Sequence, residues 1–379
     1  MVRKESSGNK RLVKSIWENK KLSLDHVILQ EDLVNIASLR YVSRLSVQDF
    51  CGFSVIPLSC MCSLTELDIK IMNCNYQEAL RDICRGLPKL THLRFYGPGL
   101  DLEDLEFSQS IKSLDIADHQ KDETCFNLKL ECLYHLRLHT LVIHWISDQE
   151  VPKLARLTHL EKLSIRTKFL HKEYMIFIKR LKLRELAVRL IFGNSDTLED
   201  FSSMPLRILK LTGVLPDFKI MVAHLKKLFD LRVLVIGACK VSDTDLEHME
   251  DLPNLEYLSI RECQRLGADA FQHFHKLPLK ELRLYETNVL EDHEITGLKN
   301  HATLQNLVMT NTGLTSGCMK TLGTIKNLNF VYFYDIEKTW DKRIHYHEPI
   351  ELKEIMVRIN RNNTMNIMHE EIDVEIEYH

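Results

Sequence analysis

One spacing pattern recurs along the chain and constrains its fold more than any other feature. An apolar residue is followed by two variable residues, a second apolar residue, one variable residue and a third apolar residue. Fourteen copies begin at residues 42, 64, 90, 111, 138, 160, 183, 206, 231, 255, 279, 304, 328 and 352. The steps between them average about 24 residues, a period typical of repeat arrays. The pattern therefore predicts one array over the 379 residues, rather than two or three globular domains.

The spacing also predicts the structure of each unit. The second and third apolar positions lie two residues apart, so both point to one face of a strand. A helical stripe follows in the second half of the unit, as in Leu246, Met249 and Leu252. Neither element can bury its apolar side alone, so successive units must stack around a continuous core. Strands pack about 5 Å apart and helices about 10 Å apart, and the stack therefore curves with its strands inside.

These features predict an α/β fold of the leucine-rich-repeat type. The expected solenoid is a horseshoe with a concave parallel β-sheet, helices on the convex side and about 14 repeats of about 24 residues. From residue 231 onward the steps are 24 or 25 residues, whereas before it they range from 21 to 27. Variable convex loops or one-turn helices are therefore expected in the first half.

The ends of the array are expected to differ from its middle. A solenoid needs caps because its terminal repeats otherwise expose the core. We assign residues 1–38 to an N-terminal cap or linker, 39–360 to the repeat array, and 361–379 to a C-terminal capping strand or tail. The tail alternates acidic and apolar residues over Glu371–Glu377, as a strand with one apolar face would.

Charge and cysteine usage narrow the class of protein. The net charge is -3 and the sequence pI is about 6.7, which argues against a general nucleic-acid or membrane-surface binder. No secretory signal and no run of 18 apolar residues occurs. The ten cysteines lack the paired spacing of a disulfide framework, so reduced thiols are expected. We therefore expect a cytoplasmic or nuclear protein.

Two copies of the pattern carry a further signature. Leu231–Cys239 is followed by Val241-Ser-Asp, and Leu255–Cys263 is followed by Leu266-Gly-Ala-Asp. This resembles the cysteine-containing leucine-rich repeats of the F-box/leucine-rich-repeat protein family, although other copies carry Thr287 and Thr312 at the cysteine position. The resemblance implies a substrate-recognition subunit of an SCF-type ubiquitin ligase.

The N-terminal segment bears on the same resemblance. Lys10–Trp17 and the following Leu22-Ser-Leu are similar to the segment that joins an F-box to its first repeats. No F-box is recognisable in this chain, because only nine residues precede Lys10. The adaptor and cullin of a ligase are therefore expected as partners only if a longer form supplies the box. Otherwise the similarity of the linker is accidental.

Signatures of catalysis are missing from the sequence. It contains no phosphate-binding glycine loop, dinucleotide fingerprint, nucleophile elbow or zinc-protease motif. Cys60 with Cys62, and His345 with His347, each offer two metal ligands, whereas a structural zinc site needs four. We expect no enzyme activity, no cofactor and no metal site, and treat both pairs as surface residues that are close by chance.

Aromatic and arginine side chains collect at the C-terminal end of the predicted concave face. Tyrosine and arginine are over-represented where proteins bind each other. The candidate partner-binding residues are Tyr257, Arg261, Arg283, Tyr285, Phe330, Tyr332 and Tyr334. The alternative is that the connection over 336–351 or the C-terminal tail folds back and covers them.

A second candidate is a basic ladder. Arg184, Arg207 and Arg232 occupy the same position in three successive copies, with Arg166 and Arg189 nearby. Positive charges about 5 Å apart repel each other unless a nearby anion neutralises them. Either neighbouring acids neutralise the ladder locally, or it binds an acidic or phosphorylated segment of a partner. The neighbouring acids are Glu161, Glu185 and Glu256.

Recognition of another protein is the function that these features favour. One hypothesis is substrate recognition for an SCF-type ligase. The other is a stand-alone scaffold or regulatory binding protein with no ligase association. Neither hypothesis requires nucleic acid or a membrane, and neither identifies the partner.

Overall fold

The computed structural model describes most of the array, but not residues 1–19 or 359–379. The described residues are 20–72, 75–97, 102–117, 129–170, 172–192, 201–213, 218–237, 241–261, 266–285, 290–310, 313–334 and 354–358. The predicted cap is therefore described from residue 20 onward, and the predicted tail over 361–379 lies outside the described residues. In the described part, no helix is long and apolar enough to cross a membrane.

Fifteen strands form a single open sheet in the part of the chain described here. The strands follow one another in chain order and every neighbouring pair is parallel. In order, β1 to β15 span Lys21–Ile28, Arg44–Phe50, Glu66–Ile71, His92–Tyr96, Ser113–Ala117, Thr140–Ile143, Lys162–Phe169, Glu185–Phe192, Ile208–Gly213, Val233–Ile236, Tyr257–Ile260, Glu281–Leu284, Asn306–Thr310, Phe330–Tyr334 and Glu354–Arg358. The leucine-rich-repeat solenoid that the sequence predicts is therefore the fold of the protein.

The register of the sheet matches the repeat pattern at every step. The middle apolar residue of each copy pairs with the middle apolar residue of the next, from Leu45↔Leu67 to Val331↔Ile355. The irregular steps of the first half do not disturb this register, as Leu67↔Leu93 and Leu93↔Leu114 show. All extra length is therefore taken up outside the sheet.

One strand precedes the first copy that the pattern detects. β1 pairs in parallel with β2 and places Leu22 opposite Leu45. Residues 22 and 24 fit the second and third apolar positions, but the first position would be Asn19, so the pattern misses this unit. The segment assigned to a cap thus contributes a strand to the sheet.

The elements outside the sheet differ along the array. α-Helices α1 to α7 span Gln30–Ala37, Tyr76–Gly86, Lys172–Ile178, Phe218–Leu225, Asp243–Leu246, Ala268–His275 and Met319–Leu322. Short 3-10 helices span Ile56–Cys60, Leu102–Phe107, Leu130–Leu133, Asp148–Arg156, Glu247–Asp251, Glu294–Leu298 and Ser316–Cys318. The first half has the expected 3-10 turns but also longer helices such as Tyr76–Gly86, and one-turn α-helices occur after residue 231, at Asp243–Leu246 and Met319–Leu322. The convex side is therefore irregular in both halves of the described array.

A single core runs between the sheet and these elements. Leu234 and Leu258 from the strands are fully buried, as are Leu246, Met249 and Phe274 from the convex side. These residues belong to one continuous cluster that extends from Leu22 to Phe333. Each unit therefore buries its apolar side against its neighbours.

A row of shared carbonyls fixes the start of the strands. Thirteen residues from Lys20 to Gln305 each accept two backbone N–H groups from the next unit, at 2.7–3.1 Å between N and O. The Arg184 carbonyl, for example, accepts from the N–H groups of Arg207 and Ile208. Both lone pairs of each oxygen are thereby used. Side chains in this row are held at the spacing of the sheet.

We expect replacement of Gly213, the last residue of β9, by alanine to destabilise the protein. Gly213 has φ 94°, and a Cβ there would lie 1.7 Å from the backbone oxygen of Leu190. Gly213→Ala should lower the free energy of unfolding by more than about 1 kcal/mol in urea titrations. The control is Gly237→Ala, whose Cβ would come no closer than 3.3 Å to another atom, the Thr212 methyl. Equal losses in the two variants would contradict this account of Gly213.

Because of His301, the free energy of unfolding of the array should decrease in mild acid. Its side chain is 2% exposed; Nε2 bonds to the Phe274 oxygen at 3.3 Å, and Nδ1 accepts from the N–H groups of Thr303 and Leu304. Burial lowers the pKa of His301 below its ordinary 6.5, and nearby His275 lowers it further. The unfolded chain therefore binds more protons below about pH 6.5, so stability is present above this pH and is lost as pH falls.

His301→Gln should flatten that loss between about pH 7 and about pH 5 in urea unfolding experiments. The exposed His26→Gln is the matched control and should keep the wild-type slope. An unchanged slope in His301→Gln would show that other groups cause the acid sensitivity.

Candidate partner-binding face

The variable residues of the strands form the concave face of the array. They lie in rows that cross the sheet, because each residue pairs with its counterpart in the next strand. Tyr257 lies beside Glu281, and Ser259 lies beside Arg283. Variable residues at the same position in successive repeats therefore lie about 5 Å apart on this surface.

Two arginines and two tyrosines that lie on β11 and β12 or directly after them pack together. The sequence predicts only that they share a face. The Arg261 Cζ atom lies 5.4 Å from the centre of the Tyr285 ring. The Arg283 Cζ atom lies at the same 5.4 Å from the centre of the Tyr257 ring. Each guanidinium thus contacts an aromatic face on the neighbouring strand, a geometry that favours a cation over a π-system.

Tyr257 is the floor of this cluster rather than an exposed contact. It is only 6% exposed and packs with Val233 and Val235 in a small apolar cluster that is separate from the main core. Burial raises the pKa of the Tyr257 hydroxyl above its ordinary value. The sequence places this residue on the concave face but cannot show how deeply its neighbours cover it.

Arg283 already has an acidic neighbour. Its Nε donates to Glu281 Oε1 at 2.5 Å, and the other oxygen of Glu281 accepts from Asn306 at 3.1 Å. The Arg283 side chain is about one-fifth exposed. A hydrogen-bonded carboxylate and an aromatic face therefore hold its guanidinium in one orientation.

The aromatic residues of β14 extend the face toward the C-terminal end. The Phe330 and Tyr332 rings stack at 6.4 Å between centroids, with 14° between their planes. The Tyr334 backbone pairs with Thr310 and Arg358, but its side chain is not among those described. Residues 336–351 lie outside the described residues as well, so covering by that connection stays a prediction.

The three arginines of the basic ladder lie in the row of shared carbonyls. The Arg207 N–H donates to the Arg184 oxygen, and the Arg232 N–H donates to the Arg207 oxygen, both at 2.8 Å. All three side chains are exposed. The structure therefore brings together these predicted residues at the edge where the strands begin.

The predicted neutralising acids face other partners in most cases. Glu256 lies 3.4 Å from Arg232, and Lys280 approaches it from the other side at 2.9 Å. Glu185 lies 3.2 Å from Lys162 and 3.7 Å from Lys210. Among the described residues, no carboxylate lies within ion-pair distance of Arg184 or Arg207.

Arg166 and Arg189 form a separate pair. They are direct neighbours on β7 and β8, and Arg166 lies over the Trp145 ring at 5.3 Å. Arg189 follows Arg184 by five residues of extended chain, which is about 16 Å. This pair therefore lies toward the opposite edge of the sheet from the basic ladder.

A charged row that the sequence analysis does not predict lies near the N-terminal end. Arg94 lies between two carboxylates, 3.7 Å from Asp68 and 2.7 Å from Asp115. His144 Nε2 lies 3.7 Å from Asp115 and its ring meets the Tyr96 ring edge-on. The signal was present, because the middle variable position alternates in sign over three successive copies. This row is largely self-neutralised, unlike the basic ladder.

Of the two pairs considered as metal ligands, Cys60 and Cys62 lie among the described residues. Cys60 and Cys62 are both exposed free thiols. In the described ranges, no three histidine, cysteine or acidic side chains gather as a metal site would require. His345 and His347 lie outside those ranges.

Comparisons with known proteins find similar chains among solved structures. No model of a protein family matches the chain, and no curated protein matches it. Among solved structures, an internalin (InlF) from Listeria monocytogenes is 17% identical with a TM-score of 0.41, covering 92% of this chain and 89% of its own. A TLR13–ssRNA13 complex is 17% identical with a TM-score of 0.49, covering 87% and 60%. A TDR receptor is 15% identical with a TM-score of 0.36, covering 86% and 67%.

The two charged rows should respond differently to loss of an arginine. Arg94→Gln removes the partner of the poorly exposed Asp115 and should lower the free energy of unfolding by about 1–3 kcal/mol. Arg207→Gln removes only a repulsive neighbour of Arg184 and should leave stability unchanged or slightly higher. Urea titrations at low salt measure both. A clear loss in Arg207→Gln would mean that the ladder is neutralised after all.

Proposed function

We propose that this protein recognises another protein through its concave face. The observation that carries the proposal is the cluster of Tyr257, Arg261, Arg283 and Tyr285, extended by the stacked rings of β14. Arginine and tyrosine in packed, partly desolvated positions contribute most of the binding energy in known interfaces. The described residues suggest binding rather than catalysis as the task of this surface.

The rigidity of the sheet supports this proposal. The cluster lies on strands whose register is uniform from Leu234 to Leu307. Arg283 is held by Glu281, so little side-chain freedom is left to lose when a partner binds. Pre-organisation of this kind lowers the entropic cost of association.

The basic ladder supplies a second contact in this proposal. Arg184 and Arg207 are exposed, and no carboxylate among the described residues lies within ion-pair distance of either. An acidic or phosphorylated segment of the partner would remove their mutual repulsion and form charge-assisted hydrogen bonds. Such a contact mainly speeds association and weakens as salt rises.

We further propose that the partner is a substrate of an SCF-type ubiquitin ligase. Support comes from the cysteine-containing repeat signature at Leu231–Cys239 and Leu255–Cys263. Both cysteines lie outside the described residues, so their positions add nothing to this argument. The same proposal places the protein in the cytoplasm or the nucleus, where its thiols stay reduced.

Affinity capture from cells followed by mass spectrometry tests the binding proposal. The double variant Tyr285→Ala with Tyr332→Ala removes two aromatic contacts and should reduce capture of the main partners by about tenfold or more. Phe229→Ala is the matched control, since this ring is 67% exposed and lies outside the concave strands. Identical partner profiles in the double variant and the wild type would contradict the proposal.

Two further readouts of the same experiment address the finer proposals. Arg207→Glu should weaken capture of the main partners, more at low salt than at high salt, if the ladder contacts them. In a longer form that supplies an F-box, cullin and its adaptor should co-purify equally with and without the two tyrosine substitutions, because they would not use the concave face. Partners captured by that form without adaptor or cullin would refute ligase membership and favour the stand-alone binder.

A further inference from the structure

A small cavity opens on the concave face above Tyr257. Its volume is about 40 Å³, and its walls include Lys210, Arg261, Arg283 and Tyr285. Measured in the same way, as room for the centre of a water-sized sphere, one water molecule needs about 10–15 Å³. The cavity therefore has room for a group of a few atoms, and not for a nucleotide or a sugar.

The charge around this cavity is unbalanced. Three of its lining side chains are cationic, and none is acidic. Glu281 forms an ion pair with Arg283 at 2.5 Å, and Glu185 forms a longer ion pair with Lys210 at 3.7 Å. No carboxylate among the described residues lies within ion-pair distance of Arg261. An anion entering the cavity would thus meet a positive field.

Arg261 also has a donor in need of an acceptor. Its Nε is buried, and no described residue accepts a hydrogen bond from it. The Tyr285 ring covers one side of the guanidinium. Burying a donor without an acceptor is unfavourable, and an acceptor supplied from outside removes that cost.

The floor of the cavity strengthens any ionic contact made in it. Tyr257 and Ser259 are 6% and 3% exposed, and Val235 beside them is also buried. Electrostatic attraction is stronger where water is excluded. Arginine matches a carboxylate in shape, because its planar fork donates two parallel hydrogen bonds to the two oxygens.

We propose that this cavity binds the carboxylate of one aspartate or glutamate side chain on the partner protein, with Arg261 as its main donor. The proposal rests on the function proposed above and names the chemistry of its central contact. The small volume favours a planar carboxylate over the bulkier phosphate group. Specificity would follow because a neutral amide in the same place leaves Arg261 unanswered.

Peptide libraries test this assignment with the full chain. Each library carries random flanking residues and one fixed central residue: glutamate, glutamine or phosphoserine. The wild type should bind the glutamate library at least about tenfold more tightly than the glutamine library. Arg261→Gln should abolish this preference, whereas Arg180→Gln should keep it. Arg180 is a matched control, because its Cζ also lies over an aromatic ring, 5.6 Å from the centre of Phe177, but outside the concave face.

A second measurement guards against misfolding of the variant. In isotope-labelled wild-type protein, the Arg261 Nε–H signal, assigned by its absence from Arg261→Lys, should shift saturably with a selected glutamate peptide. The glutamine analogue should leave it unmoved. Equal responses to both peptides, or a phosphoserine preference over glutamate of about tenfold or more, would overturn the carboxylate assignment.

The outcomes separate this inference from the function on which it rests. If capture of partners depends on Tyr285 and Tyr332 but glutamate is not preferred, the cavity assignment fails and the binding face stands. If glutamate is preferred but the double tyrosine variant captures the same proteins as the wild type, the cavity binds carboxylate and the proposed binding face fails.

Discussion

Each strand of this protein depends on its neighbours for its hydrogen bonds and for its apolar contacts. Two parallel strands cannot be joined by a tight hairpin. The N–H and C=O groups of each strand must therefore form hydrogen bonds with strands of the neighbouring repeats. The shared carbonyls from Lys20 to Gln305 tighten this requirement, because each one binds two N–H groups of the following unit. A change in register at one strand would displace every later one. The pairing from β1 to β15, with local register shifts after Leu24 and Val47, and the position of the concave face both follow from this single constraint.

The repeat pattern was sufficient to predict the sheet. It identified the middle core residue of fourteen strands, because a buried leucine at that position is required by two neighbours at once. It missed β1, since Asn19 stands where the pattern requires an apolar residue. The convex elements were predicted only in outline. Their packing tolerates a long helix at Tyr76–Gly86 and a 3-10 turn at Leu130–Leu133, so spacing alone does not determine which one forms.

The sequence predicts to which face the side chains of the candidate site point, but not how deeply they are buried. Alternation along a strand shows that Tyr257 and Arg283 face the concave side. It does not show that Tyr257 is covered, because the covering side chains come from strands about 24 residues away. The ion pairs illustrate the same limit. Glu185 follows Arg184 in the sequence, yet it faces Lys162 and Lys210 across the sheet. Sequence adjacency therefore gave the wrong neighbours for a carboxylate whose real neighbours lie on adjacent strands.

The doubly used carbonyls have a consequence for how this surface can evolve. At the edge where the strands begin, the main chain has no acceptor left over within the row from Lys20 to Gln305. Thr65 and Thr91 donate their hydroxyls to this row, whereas the Arg184 and Arg207 side chains donate no hydrogen bond to it among the described residues. Exchanging such an arginine would alter recognition at a single point without removing a hydrogen bond of the scaffold. The array thus separates the residues that selection must preserve from those that it is free to vary, one per repeat.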